Sequence, residues 1–502
     1  MNARAVMVLG TTSGAGKSWL STALCRWYVR QGLKVAPFKA QNMSNNARVV
    51  PGLNGHLGEI GSAQYFQALA ARAKPDVRMN PVLLKPEKDT ASQVVVMGEV
   101  REDLYAVPWR ERSARLWPYA ESALQALMAE NDLVVIEGAG SPAEINLHSS
   151  DYVNMRTALA AQAACLLVSD IDRGGAFAHL YGTHHLLPEH ERALIKGFVL
   201  NRFRGDAALL APGPQQLQAL TGVPTVAVLP MWRGHGLPEE DGVFDEAPAG
   251  PSAQQTASGQ RLLRVAVIAY PRISNLDEFQ PLRSAAHVRL VWARCEADLD
   301  GADWVILPGS KHTTSDLAWL RSTGVAQAIA AHAQRGGAVL GICGGLQMLG
   351  SDLLDPDGVE SHAPTLPGLG LLNVRTWFDA SKLLKETHAT FTDQTAPGHW
   401  GPWSALKGVT ASGYEIHHGR TEALSAAAQP VLRDAQGQCL GWMQGPVMGL
   451  YLHGLFESDA VLHALLGVES GGLERVFNGL ADFVDQHFHP GTLMSLLKQA
   501  KP

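Results

Sequence analysis

Two short segments of the chain combine residue types that can do chemistry. The first, TTSGAGKS, follows the apolar run AVMVLG and precedes a helix-forming run. In a strand, loop and helix context, small residues let backbone N–H groups face phosphate oxygens, while the lysine and serine can contact phosphates and Mg²⁺. The pattern departs from G-x-x-x-x-G-K-[ST], because its first glycine stands one residue early. The residues predicted to bind a nucleotide here are Gly10, Thr11, Ser13, Gly14, Ala15, Gly16, Lys17 and Ser18.

Acidic residues that end or follow apolar runs are candidates for the metal partner of this loop. Glu137 ends the run LVVIE, at the strand edge where ligands bind in open α/β sheets. Glu59 in GEIGSAQ is a second candidate, with a helix-start charge as the alternative interpretation. Together with Ser18 they form the predicted Mg²⁺ ligand set. Asp170 and Asp172 end another run and could contact phosphate, metal or substrate, or lie in a solvated turn.

A further polar segment follows the apolar run GFVLN. Asn201 ends that run, and Asp206 lies in the RFRGD sequence that comes next. Both side chains can hydrogen-bond the edge of an adenine, so Asn201 is included among the predicted nucleotide-binding residues. The alternative is an ordinary turn, where asparagine and aspartate are common.

The second chemical segment, AVLGICGGLQMLG, places Cys343 between glycines where an apolar run meets a helix-forming run. This spacing is typical of a nucleophile elbow, a tight turn that exposes its side chain at a helix amino terminus. The helix dipole and backbone N–H groups there favour a thiolate and stabilise an oxyanion. We therefore expect Cys343 to be a nucleophile and Gly344 to help form an oxyanion hole. A buried structural cysteine is the alternative.

A thiol nucleophile needs a base, and GLYLHGLFE offers His453 after another apolar run. His417 and His418 in YEIHHGRT compete for this role, although a binding strand or a surface position suits them better. Glu457, four residues after His453, is a candidate to orient the imidazole.

The elements that must position these residues follow a βα rhythm in both halves of the chain. Continuous rather than alternating apolar runs predict parallel strands covered on both faces. The rhythm stops at DEAPAGPSAQQTASGQ and restarts with RVAVIAY. We therefore predict an α/β fold with two α/β domains joined by an exposed linker. The predicted ranges are 1–244 for the first domain, 245–260 for the linker and 261–502 for the second domain. The predicted strands are 5–10, 34–40, 133–137, 164–171, 195–201, 224–230, 264–270, 288–293, 303–310 and 338–345.

Composition excludes several classes of protein. The 41 Lys and Arg residues against 47 Asp and Glu give a net charge of −6, which argues against a broad nucleic-acid footprint. The five cysteines are odd in number and include no C-x-x-C pair, so neither a disulfide scaffold nor a thiolate zinc site is indicated. No apolar run reaches the ~18 residues of a membrane helix. We expect a cytoplasmic enzyme with no membrane or nucleic-acid partner.

Longer segments carry a resemblance that covers nearly the whole chain in order. FKAQNMSNN, GEIGSAQ, MNPVLLKP, EGAGSPAEINL, DIDRGGAFA and NRFRGD resemble the amino-terminal half of the cobyric acid synthases. LPGSKHTTSDL, GICGGLQMLG, YEIHHGRT and YLHGLF resemble their glutaminase half. The first half is also similar to dethiobiotin synthetase, and the second half to class I glutamine amidotransferases. Most of that class carries a glutamate two residues after the histidine, where this chain has Leu455, so the resemblance supports a Cys-His dyad.

This resemblance implies a P-loop domain and a class I amidotransferase domain that work together. It implies ATP and Mg²⁺ as cofactors and L-glutamine as the nitrogen donor. The implied substrate is adenosylcobyrinic acid a,c-diamide, a corrinoid, amidated on its b, d, e and g carboxylates. Gly309 and Ser310 in LPGS are candidates for a second oxyanion donor beside Gly344.

Three alternatives differ in what they require of the chain. The a,c-diamide synthase of the same pathway shares the two-domain logic, but MNPVLLKP, DIDRGGAFA and NRFRGD favour the later enzyme. A nucleotide-switch or scaffold protein resembling partition-type ATPases would have an inert cysteine domain, and the presence of Lys17, Cys343 and His453 together argues against it. A nucleotide-independent thiol hydrolase would leave the first domain unexplained.

Overall fold

The chain forms two compact units in the computed structural model. Unit 1 comprises residues 1–44, 50–237 and 472–502, and unit 2 comprises residues 45–49 and 238–471. The structure describes residues 3–88, 91–232, 234–238, 261–361, 363–392, 401–469 and 472–500. The predicted linker, residues 245–260, lies outside the described residues.

The first half of the chain alternates strands and helices, as the βα rhythm predicts. Its strands are β1 (Arg4–Gly10), β2 (Val35–Phe38), β3 (Gln41–Met43), β4 (Ala47–Pro51), β5 (Leu57–Gly61), β6 (Val82–Lys88), β7 (Ala91–Val96), β8 (Glu99–Val100), β9 (Leu133–Glu137), β10 (Ala164–Asp170), β11 (Ile195–Phe203) and β12 (Thr225–Pro230). Its helices are α1 (Lys17–Arg30), α2 (Ser62–Ala70), α3 (Trp109–Glu130), α4 (Thr157–Ala160), α5 (Ala176–Leu186), α6 (Glu189–Arg192) and α7 (Gly213–Thr221).

A six-stranded parallel sheet forms the centre of unit 1, in the order β12-β11-β10-β1-β9-β2. Its two faces pack into separate apolar cores. Val6 and Val8 of β1 face the core that contains Leu24 of α1, whereas Met7 and Leu9 face the opposite core. Because both faces are covered, the inner residues of β1, from Ala5 to Leu9, are all apolar and buried, which confirms the interpretation of the continuous apolar runs.

Unit 2 is built on a second sheet. Its strands are β13 (Leu263–Ile268), β14 (Ile273–Ser274), β15 (Val288–Ala293), β16 (Trp304–Leu307), β17 (Gly309–Ser310), β18 (Ala338–Ile342), β19 (Asp352–Leu354), β20 (Thr365–Pro367), β21 (Val374–Phe391), β22 (Thr410–Ala423), β23 (Gln429–Asp434), β24 (Cys439–Gln444) and β25 (Val447–Leu450). Its helices are α8 (Gln280–Ser284), α9 (Thr313–Ser322), α10 (Val325–Gln334), α11 (Gly344–Leu349) and α12 (Asp459–Leu466). Strands β15-β13-β16-β18-β25 pair in parallel, and β24, β23 and the long hairpin β21-β22 extend the sheet antiparallel.

The last two helices, α13 (Leu473–His487) and α14 (Thr492–Gln499), return to unit 1. Glu474 of α13 pairs with the buried Arg26 of α1, with 2.6 Å between Oε1 and Nη2. Tyr28 of α1 donates a hydrogen bond to the carbonyl of Leu493 at 2.8 Å. The division therefore differs from the predicted ranges at three places: residues 472–502 belong to unit 1, residues 45–49 belong to unit 2, and unit 2 resumes at Pro238 rather than after residue 244. Within the described part of the chain, no helix is long and apolar enough to cross a bilayer.

Candidate active sites

The phosphate loop of unit 1 has the predicted strand, loop and helix context: β1 ends at Gly10 and α1 begins at Lys17. Gly16 has φ +98°, and a Cβ there would lie 2.1 Å from Nδ2 of Asn201. Asn201 donates from that nitrogen to the carbonyl of Ala15 at 2.8 Å. Glycine is therefore required at position 16 both for its backbone conformation and for the close approach of Asn201. The side chain of Asn201 supports the loop from the end of β11.

Lys17 is buried under the loop. Its Nζ donates to the carbonyls of Thr12, at 3.0 Å, and Gly140, at 3.1 Å. A Cβ on Gly10 would lie 2.9 Å from that Nζ, so the glycine at position 10 makes room for the lysine. The loop top, including Ser13, is exposed to solvent.

Glu137 ends β9, and its fully buried carboxylate accepts hydrogen bonds from three side chains. Ser18 Oγ donates to its Oε1 at 2.9 Å, Lys39 Nζ lies 2.8 Å from the same oxygen, and Gln67 Nε2 donates to Oε2 at 2.5 Å. Burial by itself would raise the pKa of Glu137, but the Lys39 charge and these hydrogen bonds hold the pKa below its ordinary value. The carboxylate therefore stays ionised, and its oxygens lie beside the Ser18 hydroxyl.

The other acids predicted to act in unit 1 are paired with cations. Glu59 of β5 is buried against Lys85 of β6, with 2.7 Å between Oε2 and Nζ. Asp170 accepts from Nη1 of Arg202 at 2.9 Å. Glu59 remains a predicted metal ligand, although its nearest described partner is the lysine.

Asp172 and Asp206, which the sequence suggested as ligand contacts in unit 1, both have nearby protein partners. Asp172 accepts from Nε of Arg204 at 2.7 Å. Asp206 is exposed and caps a short helical turn, accepting from the amide of Ala208 at 2.9 Å. The structure therefore gives both aspartates local partners, and Asn201 is the residue of the predicted adenine pair that reaches the phosphate loop.

In unit 2, Cys343 stands between β18 and α11, with φ +52° and ψ −106°. This is the strained elbow geometry that the G-x-C-x-G spacing predicts. A Cβ on Gly345 would lie 1.9 Å from the carbonyl oxygen of Leu307, and one on Gly341 would lie 2.6 Å from the Gly345 carbonyl carbon. Glycine is needed at positions 341 and 345, two residues on either side of Cys343, because adjacent backbone fills the space that side chains would occupy.

The three predicted oxyanion residues lie around this elbow. A Cβ on Gly344 would lie 2.9 Å from the backbone nitrogen of Ser310, and one on Gly309 would lie 2.9 Å from Cε1 of His453. Gly309 and Ser310 form β17, which pairs with β14. The structure thus brings Gly344, Ser310 and Gly309 to the same side of unit 2 as Cys343 and His453.

His453 is fully buried and contacts both Cys343 and a glutamate. Cys343 is close enough to affect the pKa of its ring, and its Nδ1 lies 3.2 Å from Oε1 of Glu278. The other oxygen of Glu278 accepts from the amide of Gly454 at 2.9 Å. Burial alone would lower the pKa of His453, but the charge of Glu278, followed by Cys343, raises it to about 10. The imidazole is therefore protonated at neutral pH.

The hypothesis that Glu457 orients this imidazole is wrong. Glu457 instead accepts two hydrogen bonds from Arg48, at 2.9 and 2.5 Å, and Glu278 takes the place beside His453. The competing histidine His417 has its own buried partner, Glu415, with 3.3 Å between Nε2 and Oε2.

Sequence reasoning missed Lys39, Gln67 and Glu278. Lys39 and Gln67 lie within the segments that carried the family resemblance or directly after them, so their polar side chains beside apolar runs were the available signal. No sequence signal pointed to Glu278, because it lies 175 residues from His453 in the chain.

Comparisons with known proteins match both units. Residues 6–233 match the CobQ/CobB/MinD/ParA nucleotide binding domain family, and residues 264–461 match the CobB/CobQ-like glutamine amidotransferase domain family. Over all or nearly all of both chains, this chain is 70% identical to the cobyric acid synthase of Methylibium petroleiphilum (100% of this chain, 98% of that one). The identity is 68% to that of Leptothrix cholodnii (100% and 98%) and 64% to that of Variovorax paradoxus (99% and 100%). The chain belongs to the cobyric acid synthase family, and its nucleotide-binding and glutaminase halves are those of an ATP-using amide ligase.

Proposed function

We propose that this chain amidates the b, d, e and g carboxylates of adenosylcobyrinic acid a,c-diamide, using L-glutamine and ATP, to give cobyric acid. The observation that carries the proposal is the presence, in one chain of this family, of a lysine-bearing phosphate loop and a Cys343, His453 and Glu278 cluster. Either site alone would serve a hydrolase. Together they supply an activated carboxylate and the ammonia that replaces its leaving group.

Activation is assigned to the phosphate loop. A carboxylate is a poor acyl donor, since its leaving group would be oxide, so transfer of the γ-phosphate of ATP to it gives an acyl phosphate. Lys17 would leave the carbonyls of Thr12 and Gly140 to contact the β- and γ-phosphates. Ammonia then attacks the acyl carbon, the C–N bond forms, and phosphate leaves with the electron pair of the C–O bond.

The donor set beside the loop fits Mg²⁺. Ser18 Oγ and Glu137 Oε1 are hard oxygen atoms 2.9 Å apart, and the carboxylate is ionised. Mg²⁺ characteristically binds one or two protein oxygens together with phosphate oxygens and water. When bound, it would neutralise charge on the phosphates. Ser18 and Glu137 would hold it, and Lys39 would keep the Glu137 carboxylate ionised and oriented.

Ammonia release is assigned to unit 2. Cys343 gives its thiol proton to His453, its Sγ attacks the side-chain amide carbon of glutamine, and backbone N–H groups of Gly344 and Ser310 would face the oxygen that becomes negative. His453, protonated at neutral pH, gives its proton to the departing ammonia. The imidazole is then neutral and accepts a proton from the water that hydrolyses the γ-glutamyl thioester. Glu278 stabilises each imidazolium form.

We also propose a cytoplasmic location for the enzyme, because its five free cysteines suit a reducing compartment.

The test separates the two sites. Cys343→Ala should lose glutamine-dependent amidation but keep amidation from ammonium chloride, because carboxylate activation does not use the thiol. The rescue should strengthen as pH rises, since free NH₃ is the nucleophile. Amide products of adenosylcobyrinic acid a,c-diamide are counted by mass spectrometry with each nitrogen source. A folded Cys343→Ala protein that fails with both sources, or works with glutamine, would contradict the scheme. Wild-type product that lacks the b, d, e and g amides would point to another corrinoid carboxylate.

A further inference from the structure

Residues 45–49 come from the first half of the sequence but lie in unit 2. They fall inside the range that matches the nucleotide-binding family, residues 6–233, and outside the range that matches the amidotransferase family. Residues 44 and 50, on either side, belong to unit 1. The glutaminase unit is therefore completed by a segment that neither the sequence pattern nor the family match assigns to it.

Three successive residues of this segment contact the turn that carries Glu278. The Leu276 amide donates to Asn46 Oδ1 at 2.9 Å. The Ala47 amide donates to Asn275 Oδ1 at 3.2 Å. The guanidinium of Arg48 forms an ion pair with Asp277, the residue directly before Glu278. The backbone conformation of this turn is thus fixed from outside its own sequence neighbourhood, and Asn275 itself has φ +57°.

Arg48 also contacts Tyr414, the ring that stacks on His453. Its guanidinium carbon lies 5.1 Å from the centre of the Tyr414 ring, and that ring stacks on His453 at 5.3 Å with an angle of 18° between the planes. Asn275 Nδ2 donates to the Tyr414 hydroxyl at 3.1 Å. Backbone hydrogen bonds join Tyr414 and His453 in both directions. Arg48 therefore holds two neighbours of the imidazole, the Glu278 turn and the Tyr414 ring.

The charges around Arg48 also indicate that this residue is held in place beside the Glu278 turn. Asp277, Glu278 and Glu457 place three carboxylates in one region of unit 2, and Arg48 bonds two of them. The Arg48 side chain is nearly fully buried, with 3% exposed, and Asp277 and Glu457 raise its pKa above the ordinary value despite burial. Moving the guanidinium away from both carboxylates would leave buried charges uncompensated, so these ion pairs favour the observed position of Arg48.

We propose that Arg48 is a positioning residue for the glutaminase reaction, which acts on His453 through the Glu278 turn and Tyr414. The inference rests on the proposed function, in which His453 is the acid and base for glutamine hydrolysis. Because Arg48 touches neither the reacting atoms nor Cys343 in the described contacts, its loss should slow turnover rather than weaken glutamine binding.

The experiment measures glutamate release from glutamine by the full-length wild type, Arg48→Met, Arg48→Lys, Glu278→Gln and the Arg48→Met, Glu278→Gln double variant. Arg48→Met should lower kcat about 30-fold and change KM less than about threefold, since a positioning loss falls on the transition state. Arg48→Lys should recover part of that loss. The double variant should be no slower than Glu278→Gln, because coupled residues are not additive.

Two controls keep the result interpretable. Arg26→Met removes a buried arginine paired with Glu474 in unit 1 and should leave glutaminase kcat and KM unchanged. Asn46→Ala removes one hydrogen bond to the Leu276 amide and should lower kcat in the same direction by a smaller factor, even if Arg48→Met does not fold. Additive losses in the double variant, a change in KM alone, or unchanged kcat in both Asn46→Ala and Arg48→Lys would overturn the inference. A wild type without glutaminase activity would instead overturn the proposed function.

Discussion

Glu278 is the residue whose role can be tested most sharply, because its carboxylate has two described contacts and both are at His453 or next to it. Its side chain is fully buried, with Oε1 3.2 Å from His453 Nδ1 and Oε2 bound to the Gly454 amide at 2.9 Å. Glu278→Gln keeps the shape of the side chain and removes its charge. The substitution therefore separates electrostatic support of the imidazolium from packing.

The magnitude follows from the pKa of His453, which is raised from its ordinary 6.5 to about 10. That difference corresponds to about 5 kcal/mol in favour of the imidazolium, at ~1.4 kcal/mol for each pKa unit. Burial opposes this effect, and Glu278 is its largest favourable cause, with Cys343 next. If Glu278 supplies about half, its removal withdraws about 2 to 3 kcal/mol, which lowers kcat/KM about 30- to 150-fold when the transition state depends on the imidazolium.

The assay follows glutamate release across a range of pH. In the wild type, the imidazolium persists until pH approaches about 10. Without Glu278 its pKa falls, so the alkaline limb of the kcat/KM profile should move to lower pH. Glu415→Gln is the matched control, since it disrupts the other buried histidine and glutamate pair, His417 and Glu415, and should leave this limb in place. Amidation from ammonium chloride should persist in both variants.

An unchanged alkaline limb in a folded Glu278→Gln protein would refute the reasoning, because the charge would then have no effect on the acid that protonates ammonia. The same profile shift in Glu415→Gln would assign the catalytic base to His417 instead. A uniform loss without a shift would indicate that Glu278 acts through packing alone.

Two further predictions concern unit 1. Lys17→Ala should abolish amidation from both glutamine and ammonium chloride while leaving glutamate release intact. Amide products are counted with each nitrogen source, and glutamate is measured separately. A normal amide yield with ammonium chloride would remove the phosphate loop from the mechanism. Glu137→Gln should raise the Mg²⁺ concentration for half-maximal amidation at least about tenfold, and an unchanged Mg²⁺ titration would move the metal role to Glu59 or Asp170. Because the folded-state pKa of Glu137 is lowered, its ionised form contributes stability that is present above pH 4.5 and is lost as pH falls further. The difference in unfolding free energy between wild type and Glu137→Gln, measured by urea titration, should therefore shrink below that pH.

Local patterns were enough to predict most of the parallel strands of the two central sheets and the two chemical loops, but not the sheet of β3, β6, β7 and β8 or the antiparallel strands β21 to β24. The apolar run before Gly10 and the run before Cys343 are both buried parallel strands, and the glycines after them allow the turn that each loop needs. These features depend on neighbours in sequence, since strand burial and turn geometry are set within about ten residues. For the same reason the position of Ser18 and Glu137 at one sheet edge could be expected from strand ends alone.

The features that could not be predicted depend on contacts between distant parts of the chain. Arg26 and Glu474 are 448 residues apart, and Arg48 and Glu457 are 409 residues apart. A buried arginine and an exposed one look alike in sequence, so nothing marked Arg48 as part of the glutaminase unit. The apolar residues of α13 likewise do not show in the sequence that the helix packs into a core of unit 1.

In both sites a buried pair of opposite charges lies at or just after the end of a parallel strand and keeps one functional group ionised, although the pKa of that group is shifted in opposite directions in the two sites. In unit 1, Lys39 holds Glu137 ionised below its ordinary pKa; in unit 2, Glu278 holds His453 ionised above its ordinary pKa. Breaking a buried pair commonly costs about 3 to 5 kcal/mol, because the remaining charge has no counterpart. Alanine at either partner would therefore mix lost stability with lost chemistry. Isosteric neutral replacements of the carboxylates keep the packing and hydrogen-bonding shape, so changes they cause in Mg²⁺ dependence or in the pH profile report on the charge itself.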